Sequence, residues 1–86
     1  MRDDITIFQD LMDKRFKMGE KTYKSAYKKM TRAELLHEAQ DECVDIGNYL
    51  RFVIYNNEDD EVLCNKMASI VAGACNLFTL LEDAKE

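Results

Sequence analysis

The sequence predicts an all-α chain, and three observations carry that expectation. No proline occurs in 86 residues and glycine occurs only three times. The commonest helix breaker is therefore missing, and so are the turn residues that a multi-strand β domain needs. Apolar residues recur at spacings of three and four, which is the pattern of helices with one buried face. The chain is also 47% apolar and 34% charged, enough to bury a core beneath an extensive wet surface, which excludes disorder. The length allows one domain, expected here as a three-helix protomer over residues 1–86.

The first helix is expected over residues 4–18. Asp3 or Asp4 can cap it, and Ile5, Phe8, Met12 and Phe16, with Leu11 beside them, mark its apolar face. Gly19 fits the left-handed position that ends such a helix. Residues 19–30 then read as a basic connector, a loop followed by one or two helical turns carrying Tyr23, Ala26, Tyr27 and Met30. The second helix, expected over 32–55, has the clearest start. Thr31 and Glu34 form a capping box, in which each side chain satisfies a backbone N–H at the helix entry. Its seam is Leu35, Ala39, Cys43, Ile46, Leu50 and Val53, and Asn56-Asn57 stops it.

The acidic run Glu58-Asp59-Asp60-Glu61 opens a third helix, expected over 59–83, where carboxylates meet the positive end of the helix dipole. Leu63, Met67, Ile70, Val71, Ala74, Leu77, Phe78 and Leu81 lie on one face of it. A second stripe of small residues, Ala68, Ala72, Cys75 and Thr79, lies off that face. A helix that is apolar on more than one side is buried on more than one side, so this stripe is expected to pack on another subunit. Small chains bury too little surface to be robust alone, which points the same way, to a homo-oligomer (dimer or tetramer) forming a helical bundle. The apolar stretch from Met67 to Leu81 is short for a bilayer and carries Ser69, Asn76 and Thr79, so no membrane partner is expected.

Cys43, Cys64 and Cys75 lie inside helical patterns, and the N-terminus does not look like a signal segment. Free buried thiols in a reducing cytoplasm are the expectation. His37 and Cys43 match no standard zinc spacing.

Charge is the informative feature. The net charge is −5, yet residues 14–32 carry +7 and the remainder −12. Glu34, Glu38, Asp41, Glu42 and Asp45 lie on one flank of the second helix with no base among them. At about 100° per residue, Glu42, Glu38 and Asp45 stand beside the Ala39 seam, and Tyr49 continues their line. Like charges at this spacing repel, so something cationic is expected to compensate them. Hard oxygen ligands on a rigid helix suit Mg²⁺ or Mn²⁺, with Glu38, Asp41, Glu42 and Asp45 as candidate ligands. A solvated acidic face, or pairing with lysines from elsewhere, is the simpler alternative. The overall acidic balance argues against a nucleic-acid partner, although Tyr23 and Tyr27 in the basic segment could stack on bases.

The run Glu38-Ala-Gln-Asp41-Glu42-Cys-Val-Asp45-Ile-Gly-Asn-Tyr49-Leu50-Arg51 resembles the E-x-x-D helix of MazG-like all-α nucleoside triphosphate pyrophosphohydrolases. Preceded by Gly19-Glu-Lys-Thr-Tyr23, it is similar to the short MazG-like proteins of bacteriophages. The resemblance covers about residues 16–54. It implies Mg²⁺-dependent cleavage of a nucleotide to a nucleoside monophosphate and pyrophosphate, in the host cytoplasm if the chain is phage-encoded. Glu42 and Asp45 match E-x-x-D, and Glu38 is the neighbouring ligand; these three would be catalytic. Lys21 and Lys24 would contact phosphate, Tyr23 would stack on the base, and Tyr49 would line the site. The family's earlier E-E-x-x-E helix has no counterpart here beyond Asp10-x-x-Asp13, and Lys24 stands where the phage pattern has glycine. A non-enzymatic acidic phage protein that binds and inhibits a host or defence protein is the alternative reading.

Overall fold

In a computed structural model of the chain, residues 3–86 are described, residues 22–25 by their backbone alone. They are helical throughout, with no strand among them: α1 is Asp4–Lys29, α2 Arg32–Asn56 and α3 Glu61–Ala84. The chain divides into two units, Met1–Met30 and Thr31–Glu86, where length alone suggested one domain.

The first unit is α1. Asp3 caps it, accepting from the Thr6 amide at 3.1 Å, and hydrogen bonds from Thr6 hold the Asp3 carboxyl below its ordinary range. The helix does not end at Gly19, as the sequence suggested, but continues to Lys29. No glycine in the described chain has positive φ, so Gly19 costs helix propensity, about 1 kcal/mol, without breaking the helix. The helical spacing of Tyr23, Ala26, Tyr27 and Met30 was the stronger signal. Lys28 and Lys29 in the last turn face the negative end of the dipole.

The second unit is an antiparallel hairpin of α2 and α3. The Thr31–Glu34 capping box forms as expected, with both reciprocal bonds at 3.1 Å, and it lowers the Glu34 carboxyl. Asn57 ends α2 by donating its side-chain amide to the Val53 carbonyl at 2.8 Å. Asp60 caps α3, accepting from the Leu63 amide at 3.0 Å, so the acidic run is the turn and first helical residue. At that turn the Cys64 thiol donates to the Asn57 carbonyl at 3.2 Å, which ties the start of α3 to the end of α2.

The buried residues of the hairpin are Gln40, Cys43 and Ala74. Around them α2 contributes the half-buried Leu36, Gly47, Leu50 and Ile54, and α3 contributes Leu63, Met67, Val71 and Leu81. The seam of α2 is therefore the 36–40–43–47–50–54 line, not the 35–39–43–46–50–53 line. Ala39 and Val53 are half-buried beside it, whereas Leu35 and Ile46 remain exposed. On α3 the expected face is correct except at Ile70, Leu77 and Phe78, which are exposed. Cys43 is the buried thiol; Cys64 is half-buried and Cys75 exposed, so burial of all three does not hold.

The seam holds one buried polar side chain. Gln40 is 1% exposed, and its Nε2 donates to the Phe78 carbonyl at 3.1 Å and to Glu82 Oε2 at 2.8 Å. Glu82 also accepts from the Lys85 ammonium at 3.1 Å. A buried amide must find partners, and in this register Gln40 has two.

Candidate functional site

The carboxylate line lies wholly on α2. Rotating the seam from Ala39 to Cys43 turns α2 by about 40° relative to the sequence expectation. Glu38, Glu42 and Asp45 therefore stand not immediately beside the core but out on the solvent side, all of them exposed. The successive spacings of four and three place them on neighbouring turns, with carboxylates able to point in one direction. Tyr49, 73% exposed, continues the line by another turn.

Their partners are few. Asp41 lies 3.7 Å from His37 Nε2, an ion pair once the imidazole is protonated. Among the described residues, Glu38, Glu42 and Asp45 make no ion pair or side-chain hydrogen bond. No group of three or more His, Cys, Asp or Glu among the described residues converges closely enough to hold a metal ion. What α2 offers is instead carboxylate pairs, Glu38 with Glu42 and Glu42 with Asp45, on one open wall. Mg²⁺ is commonly bound by one or two carboxylates, with waters and substrate phosphates filling the rest of its shell. The donor chemistry fits such an ion; the remaining wall does not come from α2.

The basic candidates belong to the first unit. Lys21 is an exposed residue of α1, and the side chains of Tyr23 and Lys24 lie outside the described residues. Arg15, Phe16, Tyr27 and Lys28 line an open cleft of about 510 Å³ in the same unit. Glu20 faces the same cleft, so its charge is mixed.

Two features escaped the sequence reading. Gln40 sits inside the acidic run yet belongs to the core, and the regular 36–40–43–47–50–54 spacing was the signal that could have found it. The second feature is an apolar groove along one flank of the hairpin, formed by two adjoining hollows of about 310 and 350 Å³. Val44, Gly47 and Val71 line both hollows, Cys75 one and Ala68 the other. The small-residue stripe of α3 thus borders a hollow and is exposed.

Comparison with models of protein families, with curated proteins and with solved structures finds no match to this chain.

Proposed function

We propose that the chain is a MazG-like, Mg²⁺-dependent nucleotide pyrophosphohydrolase that holds its metal on the outer line of α2. The observation that supports this reading is the set Glu38, Glu42 and Asp45, three exposed carboxylates on successive turns with no compensating cation among the described residues. Sustained like-charge repulsion on a helix has a use when a divalent ion relieves it. The ion would polarise a phosphoryl group and lower the pKa of a bound water. Glu42 and Asp45 would hold it, with Glu38 a turn away on the same line, while Asp41 lies 3.7 Å from His37 Nε2. Tyr49 offers an aromatic surface at the end of the line. The products are a nucleoside monophosphate and pyrophosphate, released in the cytoplasm.

The test is pyrophosphate release from a panel of nucleotides with Mg²⁺ or Mn²⁺, paired with thermal melting. Turnover abolished by Glu42→Ala, and a metal-specific rise in Tm abolished by Asp45→Asn, are the expected results. Absence of turnover on every nucleotide together with a Tm indifferent to metal would overturn the reading. One observation favours a second reading, the acidic inhibitor of a host protein: all five acids of the flank face outward, as a docking surface for a basic partner requires. Indifference to metal combined with salt-sensitive capture of a basic protein is the outcome it expects.

A further inference from the structure

The three cysteines are not equivalent in the folded hairpin. Gln40 donates to the Phe78 carbonyl, and near the turn the Cys64 thiol lies 3.9 Å from the Ile54 carbonyl. These contacts fix the antiparallel register at both ends, with Gln40 level with Phe78 and Ile54 level with Cys64. Three residues from Gln40 toward the turn is Cys43, and three residues from Phe78 toward the turn is Cys75. Each step advances about 4.5 Å along its helix, so the two cysteines stay level with each other across the hairpin. Both line the same hollow of about 310 Å³ on the groove flank. Gly47 lines it too, and a Cβ built there meets nothing within 4 Å. Cys43 is buried and Cys75 is exposed, so the pair joins a shielded thiol to one that solutes can reach.

We infer that Cys43 and Cys75 form a redox-sensitive pair, which closes into a disulfide across the middle of the hairpin when a small disulfide oxidant is present. With helix axes about 8–10 Å apart and Cα atoms about 2.3 Å off each axis, these two positions lie about 6–8 Å apart. A disulfide spans Cα atoms about 4.4–6.8 Å apart, so the near half of that range needs no movement and the rest a slight approach of α2 to α3. The accessible Cys75 thiolate attacks the oxidant, forms a mixed disulfide and releases one thiol. Cys43 then gives its proton to solvent, and its sulfur attacks that of Cys75, releasing the second thiol. The two cysteine thiols are oxidised and one small disulfide is reduced to two thiols. Cys64 is out of reach, because it stands about 16 Å along α3 from Cys75 and from the level of Cys43. In a reducing compartment both thiols stay free, and the bridge marks exposure to oxidant. This inference does not rest on the metal reading.

Oxidation of the full chain in a series of glutathione and glutathione disulfide mixtures tests it. The folded protein is expected to lose two of its three free thiols and two hydrogen atoms in mass, with no adduct. Peptide mapping should join Cys43 to Cys75 within one chain. The oxidant ratio at half-closure should be at least about tenfold lower for the folded chain than for the urea-unfolded one, because the fold holds the thiols together. Cys64→Ser should behave as the unaltered chain does. Cys43→Ser should stop at a glutathione adduct on Cys75. Cys75→Ser, at an exposed position where folding is undisturbed, should form no bridge while keeping its far-ultraviolet helix signal. Closure ties together helices joined by a long loop, so the oxidised chain should melt at least about 5 °C above the reduced one. Equal closure of folded and unfolded chains overturns the inference. So does a lasting adduct on Cys75 beside a free Cys43 thiol, or bridging only between separate chains. An oxidised chain that melts no higher than the reduced one overturns it as well.

Discussion

Two lines of α2, about half a turn apart, obey opposite rules. Along the seam, each polar group has a partner: Gln40 is buried and donates twice, and among the described residues no buried side-chain nitrogen or oxygen lacks a hydrogen bond. Along the outer line, Glu38, Glu42 and Asp45 have no partner within the described chain and repel one another. The seam is organised for stability. The outer line sacrifices stability, which is how a binding surface differs from a core. Substitutions on the two lines should therefore change stability in opposite directions.

The largest effect is expected at Ala74, which is 6% exposed in the middle of α3. Ala74→Asp puts an unpaired carboxylate against Cys43 and Val71, and such a change costs about 3–5 kcal/mol. Loss of the cooperative thermal transition of the hairpin is the measurement, and an unchanged Tm would show that the seam lies elsewhere.

Next comes Gln40→Ala, which empties a buried volume and removes both donations at a cost of about 2–3 kcal/mol in denaturant titration. This change also carries a pH signature. The hydrogen bond from Gln40, then the bond and charge of Lys85, and more weakly the charge of His37, hold the Glu82 carboxyl below its ordinary value of 4.5. A lowered folded-state pKa contributes stability above the unfolded value, and that stability is lost as pH falls through the folded one. The hairpin should thus lose stability as pH drops below about 4.5, and Gln40→Ala should flatten that slope. An acid dependence identical in both proteins would separate Glu82 from the seam.

The smallest effect has the opposite sign. Glu42→Gln, without metal and at low salt, should stabilise α2 by a few tenths of a kcal/mol, because it relieves repulsion from Glu38 and Asp45. The gain should shrink in high salt and reverse when Mg²⁺ is present. A loss of stability under metal-free conditions would mean that Glu42 has a structural partner after all.

Much of this architecture could be read from local signals. The capping box at Thr31, the stop at Asn56-Asn57 and the acidic entry to α3 each depend on residues within one turn of one another. Gly19 was misread because a glycine at a helix end and a glycine inside a helix are the same residue; only the continued spacing through Met30 separates them. The exposed carboxylate line was legible as a charge pattern. Its distance from the core was not, because the angle depends on which face of α2 meets α3.

The sequence by itself determined helix content, the ends of α2 and α3, and the gathering of acids on one side of α2, since backbone capping and the 3.6-residue repeat act over a few residues. Only tertiary structure decided which of two nearly equivalent lines became the seam. Hydrophobicity favoured Leu35, Ala39, Ile46 and Val53, but Gln40 reaches across to Phe78 and Glu82, residues 38 and 42 positions away. Contacts between residues so far apart in the chain lie outside the reach of capping and helical periodicity, so the register they accompany could not be read from either. Leu35 and Ile46 of the more apolar line are left facing outward.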